Sequence, residues 1–582
     1  MFNFGWKRRT DQYKRREKDI APDEIFIDSE NLPNFDTDQF EGRLEKSISR
    51  RSLYILAGIF VLFFLTFIIR IWSLQISQGD FYFTKSENNR LRNSLIFAKR
   101  GVIYDRVGTA LVWNVENTEN KAFNLRKYIP LDGFAHLLGY LKYPSKDKYG
   151  FYWSEFFDGK AGIEKVYNNI LSGENGKQIV EVDALGNIQS ENIIHSPQDG
   201  ENITLSIDSE IQNKMFLEIK SLAERVGFSG GAGVMMDVNS GEILAMTSYP
   251  EYNSQVLTDG QNKNLIDKYF NNKNTPSLNR AISGLYTPGS TIKPYMAFAA
   301  LNESIIDPYT NIYSSGSISI PNPYDSSKPT VFKDWKAHGY VDMKKALAVS
   351  SDVYFYEVGG GFENQKGLGI ANIDKYMKMF GFGSAVPITL SSSTDPTSSL
   401  FFGPTGDIPT PDWKKANFPD DPDWRVGNTY HTSIGQYGFL VSPLQLVRAV
   451  ASLANGGNLL SPKILLGENS VTDNTAINLN LNQTNLKIIK DGMRDGVIQD
   501  YGVAKGLNSV DYSVAAKTGT AELGAYKQFV NSWITGFFPY ENPRYAFVII
   551  MEKGPVANTT GALSVMRQVL DYMALNKSEY LR

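Results

Sequence analysis

The amino-acid sequence predicts an α+β catalytic domain that stands on a β-rich module, behind one N-terminal transmembrane helix. An uncharged, mostly apolar run of about 18 residues near the N-terminus has the length that a bilayer requires. Apolar segments with strand character lie at both ends of the region after residue 226, with helical segments between them. A chain of 582 residues exceeds what one hydrophobic core supports, so two or three domains are expected.

The transmembrane helix is predicted over residues 52–76. Its uncharged part, Ser52–Ile69, would be about 27 Å long and has no polar face, unlike the amphipathic helix of a soluble protein. Arg70 interrupts the run, but its side chain can reach the membrane interface beside Trp72. The run starts too far into the chain, and is too long, for the apolar region of a cleaved signal peptide.

The charges before this helix predict its orientation. Basic clusters at Lys7–Arg9, Lys14–Lys18 and Arg50–Arg51 place a tail of residues 1–51 in the cytoplasm and the later domains outside the cytoplasmic (inner) membrane. The acidic segment Ile20–Gln39 has the composition of a disordered or partner-docking tail. A net charge of -3 gives no reason to expect a nucleic-acid partner, and basic clusters beside a span are explained by topology.

The module next to the membrane is predicted over residues 77–225. Ser94–Asn114 alternates strand-forming residues with turn residues, and Ile203–Gln212 has the pattern of a strand that runs into a helix. These patterns favour a β-rich pedestal between the membrane and the catalytic domain.

The catalytic domain is predicted over residues 226–578. Gly231–Asn253 contains two apolar strands joined by Asn239–Gly241, which is a hairpin pattern. Three apolar strand segments, SVAAKTGTAEL, SWITGFFPYE and YAFVIIMEK, follow near the C-terminus, and Thr560–Leu575 reads as a closing helix. A sheet assembled from both ends of the domain sequence, with helices between, is an α+β arrangement.

The first chemical motif is Thr287–Pro294, in which Ser290 and Lys293 are three residues apart. Pro288 and Gly289 make a turn that starts a helix, so the lysine amine comes onto the same helix face as the serine hydroxyl. A serine hydroxyl is a poor nucleophile until a neighbouring base accepts its proton, and a neutral amine can do so. The spacing alone also fits a helix N-cap followed by a solvated lysine.

Two further motifs follow in a fixed order. Ser350-Ser351-Asp352 comes after a short apolar helical run and offers hydroxyls beside a carboxylate. Lys517-Thr518-Gly519-Thr520 comes at the end of the apolar strand SVAA. The order Ser-x-x-Lys, Ser-x-Asp or Ser-x-Asn, Lys-Thr-Gly is typical of serine enzymes that recognise penicillin.

With these motifs, the sequence resembles the class B penicillin-binding proteins, whose catalytic domain has the penicillin-binding and serine β-lactamase-like transpeptidase fold on a dimerisation-type pedestal. The resemblance covers nearly all of the chain after residue 50. It is also carried by Arg100–Gly108, by Gly162–Tyr167 with Leu171 and Gly173, by Ser433–Gln436 and by Ser442–Gln445. Tyr437-Gly438 departs from the family pattern, which often has glycine directly after the glutamine, and Ser442 replaces the usual threonine.

Within the class, the chain resembles the elongation branch. Asp352 stands where division-type members usually have asparagine, and the wording of Ala161–Lys165 and Lys333–Lys336 points the same way. The resemblance implies a role in cell elongation and cell-shape maintenance. It also implies a partner, a polytopic glycan polymerase of the shape, elongation, division and sporulation group, contacted through the transmembrane helix and the pedestal.

The resemblance implies a peptidoglycan D,D-transpeptidase that crosslinks stem peptides and binds β-lactams covalently. Ser290 would be the nucleophile and Lys293 its base, with the backbone amides of Ser290 and Thr520 stabilising the oxyanion. Ser350 would relay a proton to the leaving group, and Asp352 would fix Lys293 and Ser350. The substrate's carboxylate and peptide chain would be bound by the third motif, Lys517, Thr518, Gly519 and Thr520.

No cofactor and no metal are predicted. Some elongation-type relatives bind zinc near the active site through aspartates, a histidine and a cysteine. Asp334 and His338 would supply two such ligands here, but the sequence contains no cysteine.

Other functions fit parts of the same pattern. A division-type transpeptidase, a D,D-carboxypeptidase and a β-lactamase-like hydrolase share the motifs, and the two hydrolases differ in using water as the acceptor. A β-lactam sensor or an inactive scaffold would bind without turnover, but the motif residues are intact and the predicted tail is short for a signalling domain. A Ser-His-Asp hydrolase is disfavoured because none of the four histidines lies near a nucleophile-elbow pattern.

Overall fold

The structure is a computed structural model that describes residues 50–83, 91–147, 152–182, 188–322, 325, 327–388, 403–466, 476–524 and 526–582. Most of the predicted cytoplasmic tail, including its acidic segment and its first two basic clusters, lies outside these ranges. The chain divides into two compact units, Met1–Leu91 and Arg92–Arg582.

The first unit contains the predicted apolar helix. Helix α1, Arg50–Trp72, continues into a π-helical turn, Ser73–Ser77. The segment Leu53–Ser77 is long and apolar enough to cross a membrane, and none of it is buried in the protein. Because the apolar side chains of a soluble core helix would be covered, this exposure fits a single-pass membrane anchor.

The β-rich module at the start of the second unit contains two larger sheets. Their spatial strand orders are, for the four-stranded sheet, Ile203–Thr204, Ile103–Tyr104, Ala110–Val115 and Leu125–Tyr128, and for the three-stranded sheet, Leu91–Ile96, Gly176–Val182 and Ile188–His195. Smaller pairs and helices complete it: Leu141–Lys142 with Asp158–Gly159, Ser145–Lys146 with Tyr152–Ser154, and helices Ala135–Leu138, Gly162–Val166 and Asn168–Ser172.

A buried ionic cluster joins two of the sequence motifs of this module. The Glu164 carboxylate accepts hydrogen bonds from Arg100 Nε at 2.6 Å and from Arg126 Nε at 2.7 Å. All three side chains are at most 1% exposed. Burial alone would raise the pKa of Glu164, but the two guanidinium groups outweigh it and hold this pKa below its ordinary value. The motif residues Arg100 and Glu164 are therefore structural partners.

Helix α2, Ser209–Val226, begins and ends where its sequence requires. The Asp208 carboxylate accepts hydrogen bonds from the first-turn amides of Glu210 and Ile211, and the helix ends at Gly227 with a φ of 89°. Ser209 donates to Asp105 of the pedestal at 2.6 Å. Although the predicted pedestal includes α2, this helix packs against the sheet of the catalytic domain.

That sheet has five antiparallel strands taken from both ends of the domain, as predicted. The strands are β1, Gly230–Asp237; β2, Ile243–Tyr249; β3, Ala515–Leu523; β4, Phe529–Phe538; and β5, Tyr545–Pro555. Their spatial order is β2-β1-β5-β4-β3, so β3 forms one edge. The predicted hairpin and the three predicted C-terminal strands are all present.

Side chains of the sheet alternate between two buried cores. In β5, Phe547 and Ile549 pack in a core with α2 and the C-terminal helix, whereas Val548 and Ile550 pack in the core on the other face. The remaining helices of the domain are Ser254–Asp259, Lys263–Phe270, α3 (Lys293–Asn302), α4 (Met343–Val349), α5 (Asp352–Gly360), Gly369–Met379, Pro411–Asn417, Val426–Ser433, Pro443–Ala454, Gln483–Ile498 and α6 (Ala562–Asn576).

Within the described ranges of the catalytic domain, three short strand pairs lie outside its five-stranded sheet. They are Ile312–Ser314 with Gly339–Val341, Ser317–Ile320 with Thr330–Lys333, and Asn458–Leu459 with Ile477–Asn478. The first two pairs flank the segment 334–338, which leads towards α4.

Candidate active site

Ser290 lies on a tight turn at the start of a buried helix. The 3-10 turn Gly289–Ile292 leads directly into α3, whose second residue is Pro294. Gly289 has a φ of 54°, and a Cβ at this position would lie 2.7 Å from the carbonyl oxygen of Thr520, so only glycine fits here. The Ser290 side chain is half-buried, and its hydroxyl makes no hydrogen bond within the described ranges.

Lys293, three residues later, is fully buried beneath the second motif. Its Nζ lies 2.8 Å from the carbonyl oxygen of Ser350, 3.4 Å from Ser350 Oγ and 2.6 Å from Asp352 Oδ1. The alternative that the spacing alone left open, a solvated lysine after an N-cap, does not apply to this motif, because Lys293 is buried. A buried amine that contacts a hydroxyl, a carbonyl and a carboxylate has the surroundings expected of a catalytic group.

The second motif forms the junction between α4 and α5. Ser350 ends α4 in the left-handed region, with a φ of 59°, which is uncommon for a residue other than glycine. Ser351 follows as the N-cap of α5, and its Oγ accepts a hydrogen bond from the amide of Tyr354 at 3.3 Å. The turn aims Ser350 and Asp352 into the site from either side of the cap.

The third motif lies within the edge strand β3. The strand predicted as SVAAKTGTAEL is confirmed, because β3 runs from Ala515 to Leu523, pairs with β4 and contains the whole motif. Lys517 Nζ donates to Ser350 Oγ at 2.7 Å and to the carbonyl oxygen of Thr518 at 2.9 Å. Burial, and then the nearby charge of Lys293, hold the pKa of Lys517 well below its ordinary value.

Gly519 is required by the chain's own packing. A Cβ on Gly519 would lie 2.6 Å from Thr291 Cγ2 and 2.9 Å from the carbonyl oxygen of Pro288. The neighbour that comes close to this glycine within the chain is therefore the turn Gly289–Ile292. On its other side β3 has an open edge, because it pairs with β4 alone among the described strands.

Ser350 is the residue at which the three motifs meet. Its Oγ lies between the amines of Lys293 and Lys517, at 3.4 Å and 2.7 Å. The turn that carries Ser290 lies against β3, because a Cβ on Gly289 would be 2.7 Å from the carbonyl oxygen of Thr520. The arrangement offers a serine hydroxyl and two buried amines linked through Ser350, which are parts that an acyl-transfer site requires.

The segment Ser433–Gln445 resembles a family motif to which the sequence analysis gave no role. In the structure it contacts both the turn that carries Ser290 and helix α5. The amide of Gly289 donates to the carbonyl oxygen of Gly435 at 3.0 Å, so the segment fixes the nucleophile turn. Ser433 Oγ donates to the carbonyl oxygen of Phe355 in α5 at 2.9 Å. Ser442 and Gln445 cap the helix Pro443–Ala454 reciprocally, so serine does here the work of the family's threonine.

The residues near Asp334 do not fit the zinc that some relatives carry. Asp334 Oδ2 accepts hydrogen bonds from Ser314, Ser351 and Val353, and Oδ1 accepts one from the amide of Trp335. His338 Nε2 lies 3.5 Å from Asp334 Oδ1 and has no hydrogen-bond partner in the described structure, but these two residues would supply two ligands, whereas a zinc site needs three or four. Within the described ranges no group of three or more histidine, cysteine, aspartate or glutamate residues is arranged for a metal.

Comparison with known proteins gives matches over the β-rich module and over the α+β domain. A family model described as Penicillin binding protein transpeptidase domain matches residues 231–571, and one described as Penicillin-binding Protein dimerisation domain matches residues 120–205. The peptidoglycan D,D-transpeptidase MrdA of Acinetobacter baumannii is 30% identical, over 92% of this chain and 89% of that protein.

Two solved structures share the fold. Pseudomonas aeruginosa PBP2 in complex with WCK 5153 gives a TM-score of 0.67 at 27% identity, over 84% of this chain and 98% of that chain. PBP2 in complex with MreC from Helicobacter pylori gives a TM-score of 0.66 at 25% identity, over 84% of this chain and 99% of that chain.

Proposed function

The chain belongs to the penicillin-binding protein transpeptidase family, and from that premise we propose that it is a peptidoglycan D,D-transpeptidase of the elongation type that acts through Ser290. The observation that carries the proposal is the meeting of the three motifs at Ser350 beside an unengaged Ser290 hydroxyl. The similarity to MrdA over nearly the whole chain supports the elongation branch, as does Asp352 in the second motif.

In the first half-reaction, Ser290 Oγ attacks the carbonyl carbon between the two terminal D-alanines of a stem peptide. Lys293, in its neutral form, accepts the hydroxyl proton, and the amides of Ser290 and Thr520 stabilise the oxyanion. As the C–N bond breaks, Ser350, whose Oγ lies 3.4 Å from Lys293 Nζ, relays this proton from Lys293 to the nitrogen of the leaving D-alanine. The products are an ester on Ser290 and free D-alanine.

In the second half-reaction, the amine of a neighbouring stem peptide attacks this ester. A new C–N bond forms, the C–O bond to Ser290 breaks, and the amine proton returns to the serine oxygen. Lys517, Thr518 and Thr520 would bind the substrate's terminal carboxylate, because they line the open edge of β3. A carboxylate arriving at Lys517 favours its ammonium form, which burial disfavours in the empty site.

The acceptor decides between a transpeptidase and a hydrolase with the same motifs. The full-length protein is given a stem peptide ending in D-alanyl-D-alanine, with and without a primary amine acceptor, and the products are identified by mass spectrometry. We expect D-alanine release and an amide-linked product that depends on the acceptor. Shortened peptide formed equally without an acceptor would indicate a carboxypeptidase, and no product at all would indicate a sensor or scaffold.

We also propose that α1 anchors the protein in the cytoplasmic membrane, with its N-terminus inside and the catalytic domain outside. The support is one exposed apolar helix preceded by basic residues. Because the sequence contains no cysteine, single cysteines introduced at Asn3 and at Ser283 can be tested separately in intact cells with a membrane-impermeant maleimide. We expect labelling of the Ser283→Cys variant alone. Labelling of the Asn3→Cys variant would indicate that the N-terminus lies outside, which contradicts the proposed topology.

The proposed protein partner is a polytopic glycan polymerase in the same membrane. The exposed apolar surface of α1, together with the adjoining pedestal, would supply the contact. Replacement of α1 by an unrelated apolar span should abolish co-purification with such a polymerase while penicillin labelling persists. Unchanged co-purification would exclude α1 from the contact.

A further inference from the structure

Asp334 is a buried carboxylate close to the site that the proposed reaction does not use. Its side chain is 0% exposed. Oδ2 accepts from Ser314 Oγ at 3.2 Å, from Ser351 Oγ at 2.8 Å and from the amide of Val353 at 3.0 Å. Oδ1 accepts from the amide of Trp335 at 2.8 Å. A buried charge is costly unless it is fully hydrogen-bonded, and these four donors meet that requirement.

Two of these donors belong to the turn that carries the second motif. The Ser351 hydroxyl donates to Asp334 while it accepts from the amide of Tyr354, so one oxygen joins the carboxylate to the start of α5. The adjacent Trp335 side chain holds the other end of the turn, because its Nε1 donates to the carbonyl oxygen of Val349 at 3.2 Å. Residues 334–335 therefore form hydrogen bonds with both ends of the turn.

The turn needs such support because its conformation is unfavourable by itself. A residue other than glycine in the left-handed region costs about 1–2 kcal/mol, and Ser350 has a φ of 59°. Contacts outside the turn must hold it there. The amides of Ser350 and Ser351 bond back to α4. From outside the turn, Lys293 and Lys517 contact Ser350 on the side of the active site. Asp334 and Trp335 hold the turn through Ser351 and Val349.

The position of this turn sets the distances on which the chemistry depends. Ser350 Oγ is 2.7 Å from Lys517 Nζ, and Asp352 Oδ1 is 2.6 Å from Lys293 Nζ. Ser351 lies between the two residues and points the opposite way, into Asp334. A displacement of about 1 Å in a catalytic group can reduce the rate of a reaction about 100-fold.

We infer that Asp334 is a positioning residue that acts through the Ser351 hydroxyl to hold Ser350 and Asp352 against the two catalytic lysines. The inference rests on the proposed acyl-transfer function. It gives the aspartate a role that does not involve a metal, because hydroxyl and amide donors hold the carboxylate in place.

The test compares two hydroxyls that bond to the same oxygen of Asp334. Ser351→Ala cuts the link to the catalytic turn, whereas Ser314→Ala removes an equally buried donor from a strand on the far side of the carboxylate. Acylation by a fluorescent penicillin is followed in time for the full-length natural chain, both variants and Asp334→Asn. The amplitude reports the folded, active fraction, and the rate constant reports the geometry of the site.

We expect Ser351→Ala and Asp334→Asn to slow acylation about 10- to 100-fold, and Ser314→Ala to change it less than about threefold. The double variant Asp334→Asn/Ser351→Ala should be no slower than the slower single variant, because both changes break one connection. A purely structural role would lower melting temperatures and amplitudes in all variants and leave the rate constants alike.

Equal slowing by Ser314→Ala and Ser351→Ala, or a natural rate in Asp334→Asn, would overturn the inference and leave the proposed function intact. If Asp334→Asn does not fold, the two serine variants still decide. Absence of label in the folded natural chain would instead overturn the proposed function, and this inference with it.

Discussion

Ser290→Ala is expected to abolish covalent labelling of the full-length protein by a fluorescent penicillin. The substitution removes the oxygen that is proposed to attack the substrate, while alanine fits the 3-10 turn without change. Removal of the catalytic serine has lowered the rate of a serine enzyme about 10⁶-fold. The labelling that remains after such a loss would be undetectable above the background of a gel assay. At penicillin concentrations that saturate the natural chain, the variant band should not exceed that background.

The matched control is Ser283→Ala, an exposed serine upstream in the same segment. It should label as the natural chain does. Because the Ser290 hydroxyl has no hydrogen-bond partner within the described ranges, Ser290→Ala should change the free energy of unfolding by less than about 0.5 kcal/mol. A folded Ser290→Ala protein that still carries label would show that another residue is the nucleophile.

The lifetime of the label on the natural chain carries separate information. A transpeptidase excludes water from its acyl-enzyme, so the penicilloyl ester should persist after free penicillin is removed. Loss of label within seconds, with release of hydrolysed penicillin, would indicate a β-lactamase-like enzyme despite the same nucleophile.

Local sequence patterns were sufficient to predict the central sheet of the catalytic domain. The apolar strands β1, β2, β4 and β5 are buried on both faces, so each appears in the sequence as a short apolar run bounded by turn residues. The motif order then predicted which segments meet. Lys293, Ser350 and Lys517 do converge, although 57 and 167 residues separate Ser350 from the two lysines.

Features that depend on tertiary contacts escaped the sequence. The left-handed Ser350 has no local signal, because such positions usually carry glycine or asparagine. Asp334 was noticed within the branch-specific segment Lys333–Lys336 and as a possible metal ligand, but its contact with Ser351 was not, because Ser351 lies 17 residues later and no period links them.

Lys293→Met is expected to slow acylation by penicillin about 10²- to 10⁴-fold, the range that a general base contributes. Methionine has nearly the length of lysine and suits a fully buried position, but it has no atom that accepts a proton from Ser290. Stopped-flow or quenched labelling of the full-length protein gives the rate constant, and circular dichroism checks that the variant folds. A rate within threefold of natural would contradict the assignment of Lys293 as the base.

Two companion variants separate proton acceptance from charge. Lys293→Arg keeps a cation beside Asp352 but cannot be deprotonated, so it should be as slow as Lys293→Met if the lysine accepts a proton. Asp352→Asn keeps an oxygen that accepts from Lys293 and should lose less, up to about tenfold in rate, because a neutral acceptor binds a cation more weakly than a carboxylate.

If Lys293→Arg retained the natural rate, Lys293 would act only through its charge, and the proton would have to go elsewhere. Lys517 is the candidate, since its amine is 2.7 Å from Ser350 Oγ and burial holds its pKa well below the ordinary value. The route would then run from Ser290 through Ser350 to Lys517. Lys517→Arg should in that case be the slowest variant, whereas with Lys293 as the base it should chiefly weaken binding of the substrate's carboxylate.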